Sequence, residues 1–154
     1  MKKTTKYDIA LSFAEEDRNY VENIANILKN IGISVFYDSF ETADMWGKDL
    51  ISYSMDVYRN KALFSVIFIS EAYKKKLWTG NVEMKAMQAR AFEENKEYIL
   101  PVRFDDTEIE GILPTTGYID LRIISPEQLA SLIEKKLILA GRSIPGKDFK
   151  KSGI

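Results

Sequence analysis

Apolar positions along this chain change period several times, and each change marks an element. Tyr7 to Phe13 (YDIALSF) reads as a first strand. Val21, Ile24, Leu28 and Ile31 then recur at three- and four-residue steps and predict an amphipathic helix, which Gly32 ends. Ile33 to Tyr37 (ISVFY) is a second strand. Asp38 to Trp46 has no period and reads as a loop. A helix over 47–59 is expected to bury Leu50, Ile51 and Met55. Ala62 to Ile69 (ALFSVIFI) is almost wholly apolar, as a strand covered on both faces must be.

Helical patterns follow near 71–76 and from Asn81 to Glu94. Tyr98 to Phe104 (YILPVRF) is a fourth strand, irregular or near an edge because Pro101 has no N–H to give. Gly117 to Leu121 is a short fifth. Ser125, Pro126 and Gln128 spell a capping box for a last helix, with Leu129, Leu132, Ile133 and Leu137 inward and Gly141 as its stop. Strands alternating with helices predict an α/β fold. At this length it is a flavodoxin-like three-layer sandwich, with a mainly parallel five-stranded sheet in the order 2-1-3-4-5 flanked by helices. Ligands in such folds bind past the carboxyl ends of the strands, where the order reverses. Phe13, Ala14 and Ser70 are expected to face that crevice, with the Trp46 loop folded over it.

The 154 residues and 45% hydrophobic content suit one domain, taken as 1–141, followed by a flexible tail or linker at 142–154. The net charge of −1 gives no general grip on nucleic acid or an anionic membrane. Lys147, Lys150 and Lys151 read as a solvated basic tail. No apolar run is long enough to span a membrane, and MKKTTKYD lacks a signal-peptide core. A soluble cytoplasmic protein, or a domain of a longer one, is expected. The chain has no His and no Cys. That removes Ser-His-Asp triads, thiol nucleophiles and typical zinc sites, and no metal site is expected. The acidic run Asp105, Asp106, Glu108 and Glu110 lacks a recognisable ligand spacing and reads as a solvated loop.

The chemistry left to the chain centres on Trp78-Thr79-Gly80-Asn81-Val82-Glu83, an indole and a carboxylate where a helix begins. Several segments, in this order and spacing, resemble a bacterial-type Toll/interleukin receptor (TIR) domain. They are YDIALSFAEEDR, GISVFYD, WGKDL, VIFISEAYKKKLW, QARAF, YILPVRFDDTEIEG and TTGYIDL, which span about Lys6 to Gly141. The resemblance implies the NAD-cleaving branch of that family: an NAD glycohydrolase or ADP-ribosyl cyclase that releases nicotinamide. NAD is then the substrate and no cofactor is needed. Glu83 maps onto the family's catalytic Glu and Trp78 onto its aromatic. Phe13 and Ala14 line the nucleotide pocket, and the segment around Asp38 and Trp46 covers it, sometimes from a neighbouring subunit. Many relatives place the Glu four residues after the Trp; here the step is five, with Gly80 as the extra residue. The family also implies TIR–TIR self-association, a role in immune or anti-phage signalling, and a separate effector that senses a cyclic ADP-ribose-type product.

Plainer readings stand beside these. Glu83 suits a first-turn acid favoured by the helix dipole. Trp78 suits a packing residue at a strand–helix corner, and Trp46 a ring tucked under its own loop. Arg18 can reach a pyrophosphate or belong to a solvated helix start, and Arg90 can pair with a nearby acid. The competing function is a non-enzymatic TIR interaction module. A phosphate-accepting receiver lacks its acceptor Asp, because Ser70 stands there. A nucleoside deoxyribosyltransferase shares the Glu chemistry on a related fold.

Overall fold

The computed structural model describes residues 5–80, 82–95 and 97–143. In chain order the elements are β1 (Tyr7–Ser12), α1 (Arg18–Asn30), β2 (Val35–Phe36), α2 (Thr42–Met45), α3 (Leu50–Asp56) and β3 (Ala62–Ile69). Then come α4 (Glu71–Thr79), α5 (Val82–Glu93), β4 (Ile99–Arg103), β5 (Ile119–Asp120) and α6 (Pro126–Leu139). The sheet is parallel with the order β2-β1-β3-β4-β5. This is the doubly wound arrangement that the alternation of periods predicts.

β3 shows how the layers form. Phe64, Val66 and Phe68 pack on one face against Val21, Ile24 and Leu28 of α1 and Leu129, Ile133 and Leu137 of α6. Ile67 and Ile69 pack on the other against Tyr73 of α4 and Met84 and Met87 of α5. The strand's period of two therefore serves two cores, and its apolar run has no face for water. Gly32 follows α1 at φ 91°, a left-handed turn that a side chain would strain. Ser125 and Gln128 close the capping box of α6, with bonds of 3.1 and 2.8 Å.

Several elements depart from the sequence pattern. Asp38–Glu41 is a 3-10 turn that leads directly into α2, so the segment to Trp46 is not an open loop. The helix expected over 47–59 starts only after Asp49, whose carboxylate caps Ile51 N–H at 3.2 Å. Its regular part ends at Asp56 and continues as a π turn, Val57–Lys61. That wider turn carries Val57 and Tyr58 into the core, while Leu50, Ile51 and Met55 are exposed rather than buried. On α6, Ala130 is buried and Leu132 is exposed. α4 runs on to Thr79, one turn longer than expected. The helix expected from Asn81 is seen from Val82; Asn81 lies outside the described residues.

Pro101 sits in a strand with neighbours on both sides, and a local reason permits it. Phe104 N–H bonds Ile69 C=O, so by alternation the missing Pro101 N–H would point toward β5. β5 pairs only Val102 and Arg103, one step beyond the proline. At the opposite end of the sheet, buried Asp8 accepts hydrogen bonds from Arg142 and from Ser34 N–H (2.9 Å). The expected tail at 142–154 thus starts with a tethered residue, and 144–154 lie outside the described residues, Lys147, Lys150 and Lys151 included.

Candidate functional site

A cavity of about 500 Å³ opens past the carboxyl ends of β1 and β2. Phe13 and Asp38 come to it from those two strand ends, Leu50 and Ser54 from α3, Lys76 from α4 and Glu83 from α5. Pockets of this size take small-molecule ligands.

Glu83 stands in the first turn of α5, partly exposed on the cavity wall. Ser12 at the end of β1 donates to its carboxylate at 2.9 Å. Lys76 Nζ stands 3.4 Å from the same oxygen and donates to the Phe13 carbonyl at 2.7 Å. Behind Ser12, Tyr73 OH lies 2.7 Å from Ser12 Oγ.

A pair of tyrosines supports the floor. Tyr98 OH donates to Tyr58 C=O at 2.6 Å, and Tyr58 OH donates to Leu11 C=O at 2.6 Å. Burial pushes the phenols of Tyr58 and Tyr73 up, with the Glu83 charge adding to the shift, and both are neutral donors at ordinary pH.

Arg18 dominates the mouth. It holds Asp38 through two bonds of 2.9 Å, Tyr37 OH at 2.9 Å and Ser39 Oγ at 3.0 Å, and it also grips Glu15. Its guanidinium lies 5.0 Å from the Phe13 ring centroid. The hydrogen bonds that Arg18 donates to Asp38 and Glu15 push its own pKa further up, and Arg18 in turn holds Asp38 below its ordinary range. Glu15 and Glu16 complete an acid-rich rim.

The structure thus brings Phe13, Asp38 and Glu83 to one cavity, and Arg18 with them. Four other expected residues stand elsewhere. Ala14 is buried behind the wall. Ser70 turns beneath α4, where it caps Tyr73 N–H (3.1 Å) and donates to Asp17 (2.6 Å). Trp46 is 87% exposed and lies off the lining, beside Met45, which does line it. Trp78 is 88% exposed, because the extra turn of α4 puts it on the outer side of that helix. There it borders a separate hollow of about 240 Å³ with Leu77, Met84 and Ile109. Arg90 does pair with Glu94, at 3.7 Å, and stacks on Tyr98, away from the cavity.

Ser12, Tyr73 and Lys76 were not singled out by the sequence pattern. Ser12 left a usable signal: it is a polar residue at the end of an apolar strand, and a buried hydroxyl needs a partner. The acidic loop is spoken for in part by Arg122, which pairs with Asp106 at 2.8 Å. Asp105 caps Glu71 N–H at 3.1 Å. Among the described residues no group of three His, Cys, Asp or Glu is placed to hold a metal ion. None of the helices there is long and apolar enough to cross a membrane.

Fold and cavity together define a doubly wound α/β domain with a carboxylate-walled pocket at its strand ends. Residues 9–133 match the TIR domain family, and the chain belongs to it. It is 61% identical over 132 residues to a 3′ cyclic ADP-D-ribose synthase of Aquimarina amphilecti, a match covering 86% of this chain and 40% of that protein. It is 34% identical over 100 residues to a 2′ cyclic ADP-D-ribose synthase of Bacteroides thetaiotaomicron, covering 64% of this chain and 33% of that one. An NAD(+) hydrolase of Escherichia coli is 27% identical over 99 residues, with 64% and 31% covered. The chain therefore spans between 31% and 40% of the length of these relatives. Among solved structures, the TIR domain of a Toll-related receptor of Hydra magnipapillata superposes with a TM-score of 0.61 at 20% identity, over 90% of this chain and all of that one. That likeness concerns the fold.

Proposed function

We propose that this TIR domain, residues 1–141, cleaves the bond between nicotinamide and ribose in NAD, with Glu83 as the catalytic residue and no added cofactor. The observation that carries the reading is one carboxylate, Glu83, aimed into a cavity of about 500 Å³ and held there by Ser12. The names of the relatives supply the substrate.

The chemistry suits a site without His or Cys. Nicotinamide in NAD is a pyridinium. When the C1′–N bond breaks, its electron pair stays on nitrogen and the base leaves neutral, so no general acid is required. The ribose then carries oxocarbenium character, as in glycoside hydrolysis. A carboxylate close to C1′ stabilises that charge or forms a transient ester. Water adds to C1′ and loses a proton to give ADP-ribose, or an oxygen of the substrate itself closes a ring. We take the cyclic product as the expected one, because the relative at 61% identity is named for it. Of the rim acids, Arg18 already engages Glu15 and Asp38, which leaves Glu16 to favour the cationic end of the substrate.

A second reading rests on a different observation. Trp46, Leu50, Ile51 and Met55 are large, apolar and exposed within ten residues of one another. Such a surface suits TIR–TIR self-association, whether in an enzyme that assembles or in an adaptor that turns nothing over. A cytoplasmic role in immune or anti-phage defence, acting through an effector that senses the product, belongs to the same proposal. Incubation with NAD over a wide protein concentration range, with products resolved by chromatography and mass spectrometry, tests both readings. Nicotinamide release supports the enzyme, and the product mass separates ring from chain. No release at any concentration, with self-association intact, supports the adaptor.

A further inference from the structure

Glu83 has to do more than be present. Its side chain has three rotatable bonds, and left free it samples many orientations. Reaction needs the carboxylate held in one of them, since displacements of the order of 1 Å are costly. Among the described residues, its hydrogen-bonding contacts are Ser12 Oγ at 2.9 Å and Lys76 Nζ at 3.4 Å. The lysine contact is the longer, and that ammonium is also engaged by the Phe13 carbonyl. The hydroxyl is therefore the contact that fixes direction.

A serine hydroxyl has one proton and a free rotor. What sets the rotor is buried behind it. Tyr73 OH is 2.7 Å from Ser12 Oγ, and both residues are within 1% of full burial. An ionised carboxylate only accepts. Ser12 must then give its single proton to Glu83, and Tyr73 must give its own to Ser12. Burial keeps the Tyr73 phenol protonated, as that direction requires. Both ends of the chain are firmly mounted: Ser12 closes β1 in the interior of the sheet, and Ser70 caps the backbone N–H of Tyr73.

We propose that Tyr73 and Ser12 are positioning residues, a one-way hydrogen-bond relay that aims the Glu83 carboxylate at the reacting carbon. This rests on the reading that Glu83 acts on NAD. The relay takes no part in substrate contact, so its loss lowers kcat and leaves KM nearly alone. Its two members act in series, so their effects do not multiply.

The test uses the full chain as wild type, Ser12→Ala, Tyr73→Phe, the double variant, Ser12→Thr and Glu83→Gln. We expect Ser12→Ala to lower kcat about 10- to 100-fold, the loss typical of one hydrogen bond to a charged group, with KM within about twofold. Ser12→Thr, which keeps the hydroxyl, recovers most of it. Tyr73→Phe lowers kcat in the wild-type background and has no further effect on kcat in the Ser12→Ala background, although both changes lower the melting temperature. Full activity of Ser12→Ala beside an inactive Glu83→Gln overturns the relay and leaves the role of Glu83 intact. Multiplying effects of the two changes also overturn it. An active Glu83→Gln instead removes the reading on which the relay rests. Crystal structures of wild type and Ser12→Ala decide the matter without turnover. An unmoved, singly ordered Glu83 carboxylate in the variant overturns the proposal, and a displaced or multiply ordered one supports it.

Discussion

Arg18 holds Asp38 through two parallel hydrogen bonds of 2.9 Å, joining the first turn of α1 to the segment that follows β2. A planar guanidinium on a carboxylate is the strong form of such a pair. It fixes two residues of the cavity's lining relative to one another.

This pair gives the mouth a pH dependence. Hydrogen bonds from Arg18 lower Asp38 from its ordinary value of 3.8. A carboxylate depressed in the folded state stabilises it above the unfolded value, and the contribution is lost as pH falls through the folded one. Wild type should therefore melt a few degrees above Asp38→Asn at pH 7. The gap should close progressively below about pH 4. Thermal unfolding of both proteins across pH measures it, and a gap that is constant with pH would show that the pair is not the cause.

Neither tryptophan contributes to packing, since both are almost fully exposed. Trp46→Ala and Trp78→Ala should each leave the melting temperature within about 2 °C of wild type, as substitutions away from any packed feature do. Any loss of turnover or of self-association in these variants then reports a functional contact. A large drop in stability would restore the packing role that the corner position of Trp78 suggests.

The tyrosines under the cavity behave oppositely. Tyr58→Phe leaves the Leu11 carbonyl without its phenol partner, and Tyr98→Phe does the same to the Tyr58 carbonyl. Each loss should cost about 1–2 kcal/mol, or about 2–7 °C in melting temperature for a chain of this size. Circular dichroism melts of the two variants give the answer. Unchanged melts would mean that water replaces the phenols.

Much of this architecture can be read from the chain, and the reasons are local. The run ALFSVIFI becomes the strand buried on both faces because seven of its eight residues are apolar, and its one polar residue, Ser65, is small and turns its hydroxyl to the Met87 sulfur. Ser125 and Gln128 carry their cap within four residues. What escapes the sequence is set by approach between distant segments. Ser12 and Glu83 meet across 71 positions. Tyr73, in the charged run EAYKKKLW, gives no hint that it is fully buried. The resemblance sets Trp78 beside Glu83 as its aromatic, but nothing in KKLWT stops α4. The helix turns the indole outward before the chain doubles back.

The extra residue between Trp78 and Glu83 should tolerate change. Gly80 has an extended φ of 175°, and a β-carbon built there meets no atom within 4 Å. Gly80→Ala should keep its stability, or gain up to about 1 kcal/mol by restricting the unfolded chain. Melting and turnover of this variant check it. A marked loss in either would mean that the link to α5 needs a conformation glycine alone reaches.

The most direct test of the account is nicotinamide release from NAD by wild type and Glu83→Gln, at matched concentration and with matched melting temperatures. Glutamine keeps the shape and the Ser12 contact but cannot carry the negative charge. We expect release by wild type and a drop of at least about 1,000-fold in the variant, the scale lost with a group that stabilises transition-state charge. Release that survives the change would place the chemistry on another residue and contradict the central claim.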